Sequence, residues 1–240
     1  MTEFAASVVH YWDRLFHTGQ RLPSTPDLTL FVNLGLDARR RAMILKTGDG
    51  TMHAAMTPAV AAAAGLTADA AAPISPTELR DALRGARIQL HAPDLVHYAS
   101  AGVARPTALS SSVQVRQLGP VDAQAFQDFL RQVSEQDQED AFVELDHWSA
   151  FGAFDGSELL SAASMYPWGG AAIADMGVLT LPHARGRGLG RALVHALAVH
   201  AMECGHQLQY RCQHDNHASI ALAHSSGLAR YATWEVAHEI

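Results

Sequence analysis

The residues best able to do chemistry lie in one stretch, Arg185-Gly186-Arg187-Gly188-Leu189-Gly190-Arg191. Its three glycines remove the side chains that would keep an anion away from the backbone. An apolar run, Val178-Leu179-Thr180-Leu181, enters it through Pro182. A helix with Leu189, Leu193, Ala196 and Leu197 on one side leaves it. Such a loop aims several N–H groups and the positive end of a helix dipole at one point, which is the chemistry of a pyrophosphate cradle. The bland alternative is a glycine-rich turn with solvated arginines. Two other phosphate loops do not fit. Gly186-x-Gly188-x-Gly190 has the wrong third interval for a dinucleotide fingerprint, and the chain has no Gly-Lys-Ser/Thr tripeptide.

What fits is Arg-x-x-Gly-x-Gly after Val-x-x-x-Pro. In this the segment resembles the coenzyme A loop of the GNAT superfamily of N-acetyltransferases. The resemblance implies a cofactor site built from Val178, Leu179, Thr180, Arg185, Gly186, Arg187, Gly188, Leu189, Gly190 and Arg191. It also places an N–H for the developing oxyanion in the strand near Val178 to Leu181. A second stretch, Asn216-His-Ala-Ser219-Ile220-Ala-Leu222-Ala-His224-Ser-Ser-Gly227, is similar to the family's second cofactor segment. By that likeness Asn216 and Ser219 join the cofactor-binding set, although Asn216 also serves as a helix cap. One departure is plain. The family's proton-donating tyrosine falls on Ala223, and His224 points roughly 100° away on a helix. The general acid is therefore unassigned, and His224 reads as a surface histidine. Asp175 is the acid inside the strand before the cradle and is the candidate base for an acceptor ammonium; a solvated carboxylate at a strand start is the competing role.

Elements must hold these residues in place. Val113–Leu118 alternates as a strand, and Phe126, Phe129, Leu130 and Val133 give a helical face after Asp122. Residues 148–154 and 159–165 form a hairpin about Asp155-Gly156, and 171–181 is the next strand. Then come the cradle helix to Gly205, a strand at 207–212, a helix at 217–226 and a closing strand at 228–240. The resemblance makes this a GNAT-type α/β (α+β) domain, with a mixed, mostly antiparallel sheet flanked by helices. The division expected is an N-terminal α/β domain at 1–104, a Pro/Ser linker at 105–112 and a GNAT domain at 113–240.

The N-terminal half opens with a helix carrying Phe4, Val8, Tyr11 and Leu15. Strands are expected at 28–34, 41–47, 51–56 and 86–90, and proline-led helices at 57–65 and 75–83. This half reads either as a degenerate GNAT copy or as a cap that shapes the acceptor pocket.

At 240 residues and a net charge of −7, the chain suits a cytoplasmic enzyme without a nucleic-acid surface, a secretory segment or a membrane span. An RNA-contacting patch of Arg185, Arg187 and Arg191 is a weaker rival. Cys204 and Cys212 read as reduced core thiols. Fourteen histidines raise a metal question. None stands in His-Glu-x-x-His, and His195 and His200 lie about 140° apart on a helix, so no metal is expected. The function expected is acetyl-CoA-dependent transfer to a small-molecule or peptide amine; the alternative is a non-catalytic acyl-CoA-binding sensor. Tyr166 and Trp168 are candidates to line the acceptor pocket, or to pack as hairpin aromatics.

Overall fold

The fold is described from a computed structural model over residues 4–99 and 109–238. Much of the expected linker, residues 105–108, falls outside the described residues. Packing groups the chain into two units that interleave in sequence. One takes in segments Met1–Ser7, His97–Arg211 and His217–Ala229; the other takes in Val8–Val96, Cys212–Asn216 and Arg230–Ile240. These units do not coincide with a linear division near residue 110.

The N-terminal unit begins with α1 (Ala6–Phe16), which buries Tyr11, Trp12 and Phe16. Strands β1 (Gln20–Leu22), β2 (Leu28–Val32), β3 (Ala42–Thr47) and β4 (Met52–Met56) follow, then helices α2 (Pro58–Ala63) and α3 (Pro76–Gly85). Both helices start as their sequence signals require. Thr57 and Ser75 cap them, each is followed by proline, and Ser75 with Glu78 closes a capping box. Such caps contribute about 1 kcal/mol each.

The strand expected at 86–90 is absent. Arg87 adopts φ 58, and the Ile88 N–H bonds to the Leu83 carbonyl. That is a Schellman end to α3, and its C-terminal apolar residue, Ile88, packs into the core. Leu90 makes only an isolated bridge with Ala237. A strand not anticipated, β5 (Asp94–Ala99), comes after it.

The second unit holds β6 (Val113–Gln117), α4 (Ala123–Leu130), α5 (Glu135–Ala141), β7 (Ser149–Asp155), β8 (Glu158–Pro167) and β9 (Ile173–Thr180). It continues with α6 (Leu189–Glu203), β10 (Gln207–Gln213) and α7 (His217–Ser225), leading into β11 (Leu228–Val236). In β11 the residues from Ala232 to Val236 pair antiparallel with Thr47 to Met43 of β3, inside the N-terminal unit. Strands β6, β7, β8 and β9 are antiparallel neighbours, whereas β9 and β10 run parallel. This is the mixed, mostly antiparallel sheet flanked by helices that the sequence implies.

The core of this unit is continuous from Phe126 and Phe129 of α4, through Leu160, Met165 and Leu179, to Leu193 and Leu197 of α6. Each buried side chain of this size contributes about 1.5–3 kcal/mol. Helix α5 comes unusually close to the sheet. A Cβ placed on Gly177 of β9 would lie 1.7 Å from the Ala141 carbonyl oxygen, so only glycine allows this approach.

Candidate active site

The loop between β9 and α6 carries the glycines of the expected cradle. Gly186 and Gly188 sit at φ 77 and 79, in the left-handed region that glycine enters without strain. Gly188 is the N-cap of α6 and makes no side-chain cap. The first turn of a helix leaves its N–H groups without intrahelical partners. Among the described residues, the N–H groups of Gly186, Arg187, Gly188, Leu189 and Gly190 bond to no protein acceptor. Leu189 is buried under this turn, while residues 185–187 are exposed. Arg187 donates to Asp155 at 2.9 Å and holds that carboxyl below the usual carboxylate range. Arg185 donates from Nε to the Thr180 carbonyl at 3.3 Å and reaches Asp137 of α5 at 3.4 Å. Arg191 is half-buried in the first turn of α6.

Beside the cradle the sheet opens. The β9–β10 register runs from Ile173↔Gln207 to Met176↔Tyr210 and ends there. The β8–β9 register continues to Thr180. In an antiparallel pair, backbone groups alternate in direction. Because the Leu181 N–H bonds to the Leu160 carbonyl, Leu179 and Gly177 also face β8. Val178 and Thr180 therefore turn their backbone groups toward the opened side. Their N–H groups and those of the cradle are all donors, which suits an acyl thioester whose carbonyl and phosphates are acceptors.

Asp175 lies deeper. It is 3% exposed, and the neighbours across the sheet converge on it. Tyr166 Oη donates to it at 2.9 Å, Gln209 Nε2 at 2.9 Å, and Arg211 from both Nε and Nη2, the latter at 2.7 Å. Tyr98 donates in turn to the Gln209 side-chain oxygen. Two roles are expected of Asp175, a base for an acceptor ammonium and a solvated carboxylate at a strand start. The carboxylate is not solvated, and both its oxygens are already engaged, so it has no open face for an acceptor ammonium.

Tyr166 stands between Asp175 and the surface. Burial, then the adjacent carboxylate, push its hydroxyl well above the ordinary tyrosine range, so it stays a phenol and a donor. Phe142 and His147 pack against its ring, with centroids 5.5 and 4.9 Å away. His147 is also bonded through Nδ1 to Ser164 Oγ at 2.8 Å, and burial lowers its pKa below the usual histidine value. Trp168 receives the Arg211 guanidinium on its face, 4.4 Å from the ring centroid.

The remaining predicted residues divide. Asn216, exposed, ends the turn before α7 with its N–H on the Gln213 carbonyl; Ser219 is half-buried in the first turn of α7. Ala223 is fully buried, and His224 is exposed, as a surface histidine should be. Cys212 is buried, its thiol pushed up to about 11, but Cys204 is exposed at the end of α6 and is not a core thiol. Among the described residues no group of histidine, cysteine and carboxylate side chains could hold a metal ion, and no helix is long and apolar enough to cross a membrane.

Sequence reading missed Gln209, Arg211 and Tyr98. The first two were within reach, because alternation along Gln207-Leu-Gln-Tyr-Arg puts Gln209 and Arg211 on one strand face. Tyr98 lies in the unanticipated strand.

A sheet opened between parallel strands beside a glycine-rich helix N-terminus defines the class: a GNAT-type acyltransferase fold. Residues 123–228, somewhat less than half of the chain, match the model of the acetyltransferase (GNAT) family, and this segment is a GNAT acetyltransferase domain. An acetyltransferase of the GNAT family from Colwellia psychrerythraea is similar in fold, with a TM-score of 0.52 and 15% identity over 76% of this chain and 75% of that one. A GCN5-related N-acetyltransferase from Sphaerobacter thermophilus gives a TM-score of 0.50 at 10% identity, over 67% of this chain and 55% of that one. The yncA protein of Salmonella typhimurium, solved with its cofactor acetyl-CoA, gives a TM-score of 0.40 at 18% identity, over 53% and 92%. No curated protein matches the sequence.

Proposed function

We propose that the chain is an acetyl-CoA-dependent acyltransferase that N-acetylates a small amine or a peptide amino group by direct transfer in a ternary complex. One observation carries this reading. Five consecutive N–H groups, Gly186 to Gly190, are left without protein acceptors at the start of α6, beside the unpaired edge of β9. The donor set fits the linked phosphates of coenzyme A, and the residues that would hold it are 185–191, with Val178, Leu179 and Thr180 along the pantetheine arm and Asn216 and Ser219 on α7's side. When bound, that group supplies the acetyl thioester.

The chain's own contribution is placement and charge. The Val178 N–H would meet the thioester oxygen of a bound acyl carrier, where negative charge gathers as an amine attacks. Such a donor, fixed by the sheet, needs no reorganisation when charge develops. Ala223 offers no proton, so the proton shed by the attacking nitrogen would reach the departing sulfur through water, with the α6 dipole steadying the thiolate meanwhile. Asp175 acts through Tyr166: it fixes the phenol and the opened end of the sheet, rather than taking the amine proton by contact.

Thiol release from acetyl-CoA over a panel of amines, with mass spectrometry of the acceptor, tests the reading. Acetylated amine together with stoichiometric free thiol supports it. Tight acetyl-CoA binding with no turnover for any amine contradicts it and favours a sensor.

A further inference from the structure

The residue that follows α5 is out of the ordinary. Phe142 adopts φ 47, a conformation bulky L side chains rarely enter, and the residue is 47% exposed. Held strain of this kind gathers at ligand clamps. Phe142 forms one wall of a cavity of about 720 Å³ between α4 and residues 142–146. Its apolar surface comes from Phe126 and Leu130 of α4 and from Val143 and Leu145. Around that surface stand the exposed carboxylates of Glu139, Glu144 and Asp146. Among the described residues lining it there is no lysine or arginine.

Its place is equally specific. In its first turn α5 touches the cradle, where Asp137 meets Arg185. At its last residue the Ala141 carbonyl lies against Gly177, one position before the opened edge at Val178. Following α5 therefore leads from the phosphate loop to the oxyanion donor, and the cavity begins at the next residue. The turn is fixed there by the Glu144 N–H, which donates to Ser164 Oγ of β8 at 3.1 Å.

We propose that this cavity binds the acceptor, and that the acceptor is a primary amine carrying an apolar body. The ammonium faces Glu139, Glu144 and Asp146, and the apolar body lies against Phe126, Leu130 and Phe142. Carboxylates around an apolar floor select a cation over an isosteric neutral molecule and disfavour an acidic acceptor. This assignment rests on reading the cradle as the acyl-carrier site, which sets the cavity at the reacting end.

The test is calorimetric titration of the full chain, without acetyl-CoA, with 4-phenylbutylamine and its neutral counterpart 4-phenylbutanol. The amine should bind roughly five- to tenfold more tightly than the alcohol. Changing Glu144→Gln together with Asp146→Asn should remove most of that preference while leaving alcohol binding as it was. Phe142→Gly, which relieves the left-handed strain, should weaken both ligands without lowering the melting temperature. Equal affinity for amine and alcohol, or an amine preference that survives the double substitution, overturns the proposal. Acetyl-CoA affinity measured on the same proteins separates the two readings. If acetyl-CoA binds and the amine preference is absent, this inference alone falls. If the amine binds and acetyl-CoA does not, the acyltransfer reading falls and the ligand class of the cavity stands.

Discussion

Arg211 closes on Asp175 beneath the opened end of the sheet, Nη2 to Oδ2 at 2.7 Å, with side chains 22% and 4% exposed. Charges this well buried are held by one another, and removing one partner leaves the other unpaired in a poor solvent. Asp175→Ala should therefore cost about 3–5 kcal/mol of stability. Asp175→Asn should cost less, since an amide oxygen still accepts from Tyr166 or Gln209. Urea unfolding with an unchanged m-value checks both. A loss below about 1 kcal/mol for the alanine variant would show that the pair is not structural.

Gly177 is the position where α5 meets the sheet. Gly177→Ala sets a methyl 1.7 Å from the Ala141 carbonyl, so α5 must shift away from β9. Overpacking of this kind costs about 1–3 kcal/mol. It should also raise the acceptor KM, because residues 142–146 follow directly from α5. Thermal melts with steady-state kinetics decide the matter. Unchanged stability and KM would mean that α5 is free to move.

The cradle can be probed at Gly186, where a new Cβ meets nothing within 4 Å. With no clash, Gly186→Ala should cost only the left-handed backbone penalty of about 1–2 kcal/mol. Gly186→Glu should lose acetyl-CoA binding by roughly a hundredfold or more at similar stability, because its carboxylate repels the phosphates. Retained affinity in the glutamate variant, measured by calorimetry, would displace the cradle.

His147 supplies a pH prediction. Its folded pKa is lowered by burial, so the unfolded chain takes up this proton first as pH falls. The stability it contributes is present above about pH 6.5 and is lost as pH drops through the folded pKa. His147→Gln should flatten the stability profile below pH 6.5. A profile still as steep in the variant assigns that slope to other groups.

Legibility in the sequence followed the range of the interactions. The glycine loop before α6, the Asp155-Gly156 hairpin and the proline-led helices are set by neighbours within a few residues, and they stand where their signals place them. Helix α5, Glu-Gln-Asp-Gln-Glu-Asp-Ala, has no apolar face to announce it; Ser134 caps it, and Gly177 lets it lie on β9. The apolar residues at 86–90 imitate a strand, but Ile88 is buried by the end of α3 instead. Asp175 is marked in the sequence by its type and by its place in the strand before the glycine loop. Its occupation by Tyr166, Gln209 and Arg211 joins three strands and could be known only from the register. The strand β11 leaves no sequence trace of its pairing with β3, which is set by residues far away in the chain.

The central claim is that the main-chain amides from Gly186 to Gly190 grip the phosphates of an acyl carrier. Backbone NMR of the full chain during an acetyl-CoA titration reads those five amides directly. The account predicts that they shift most and saturate together, and that acetyl-pantetheine, which lacks the pyrophosphate, moves them little. Acetyl-CoA binding that leaves these five signals in place would contradict it.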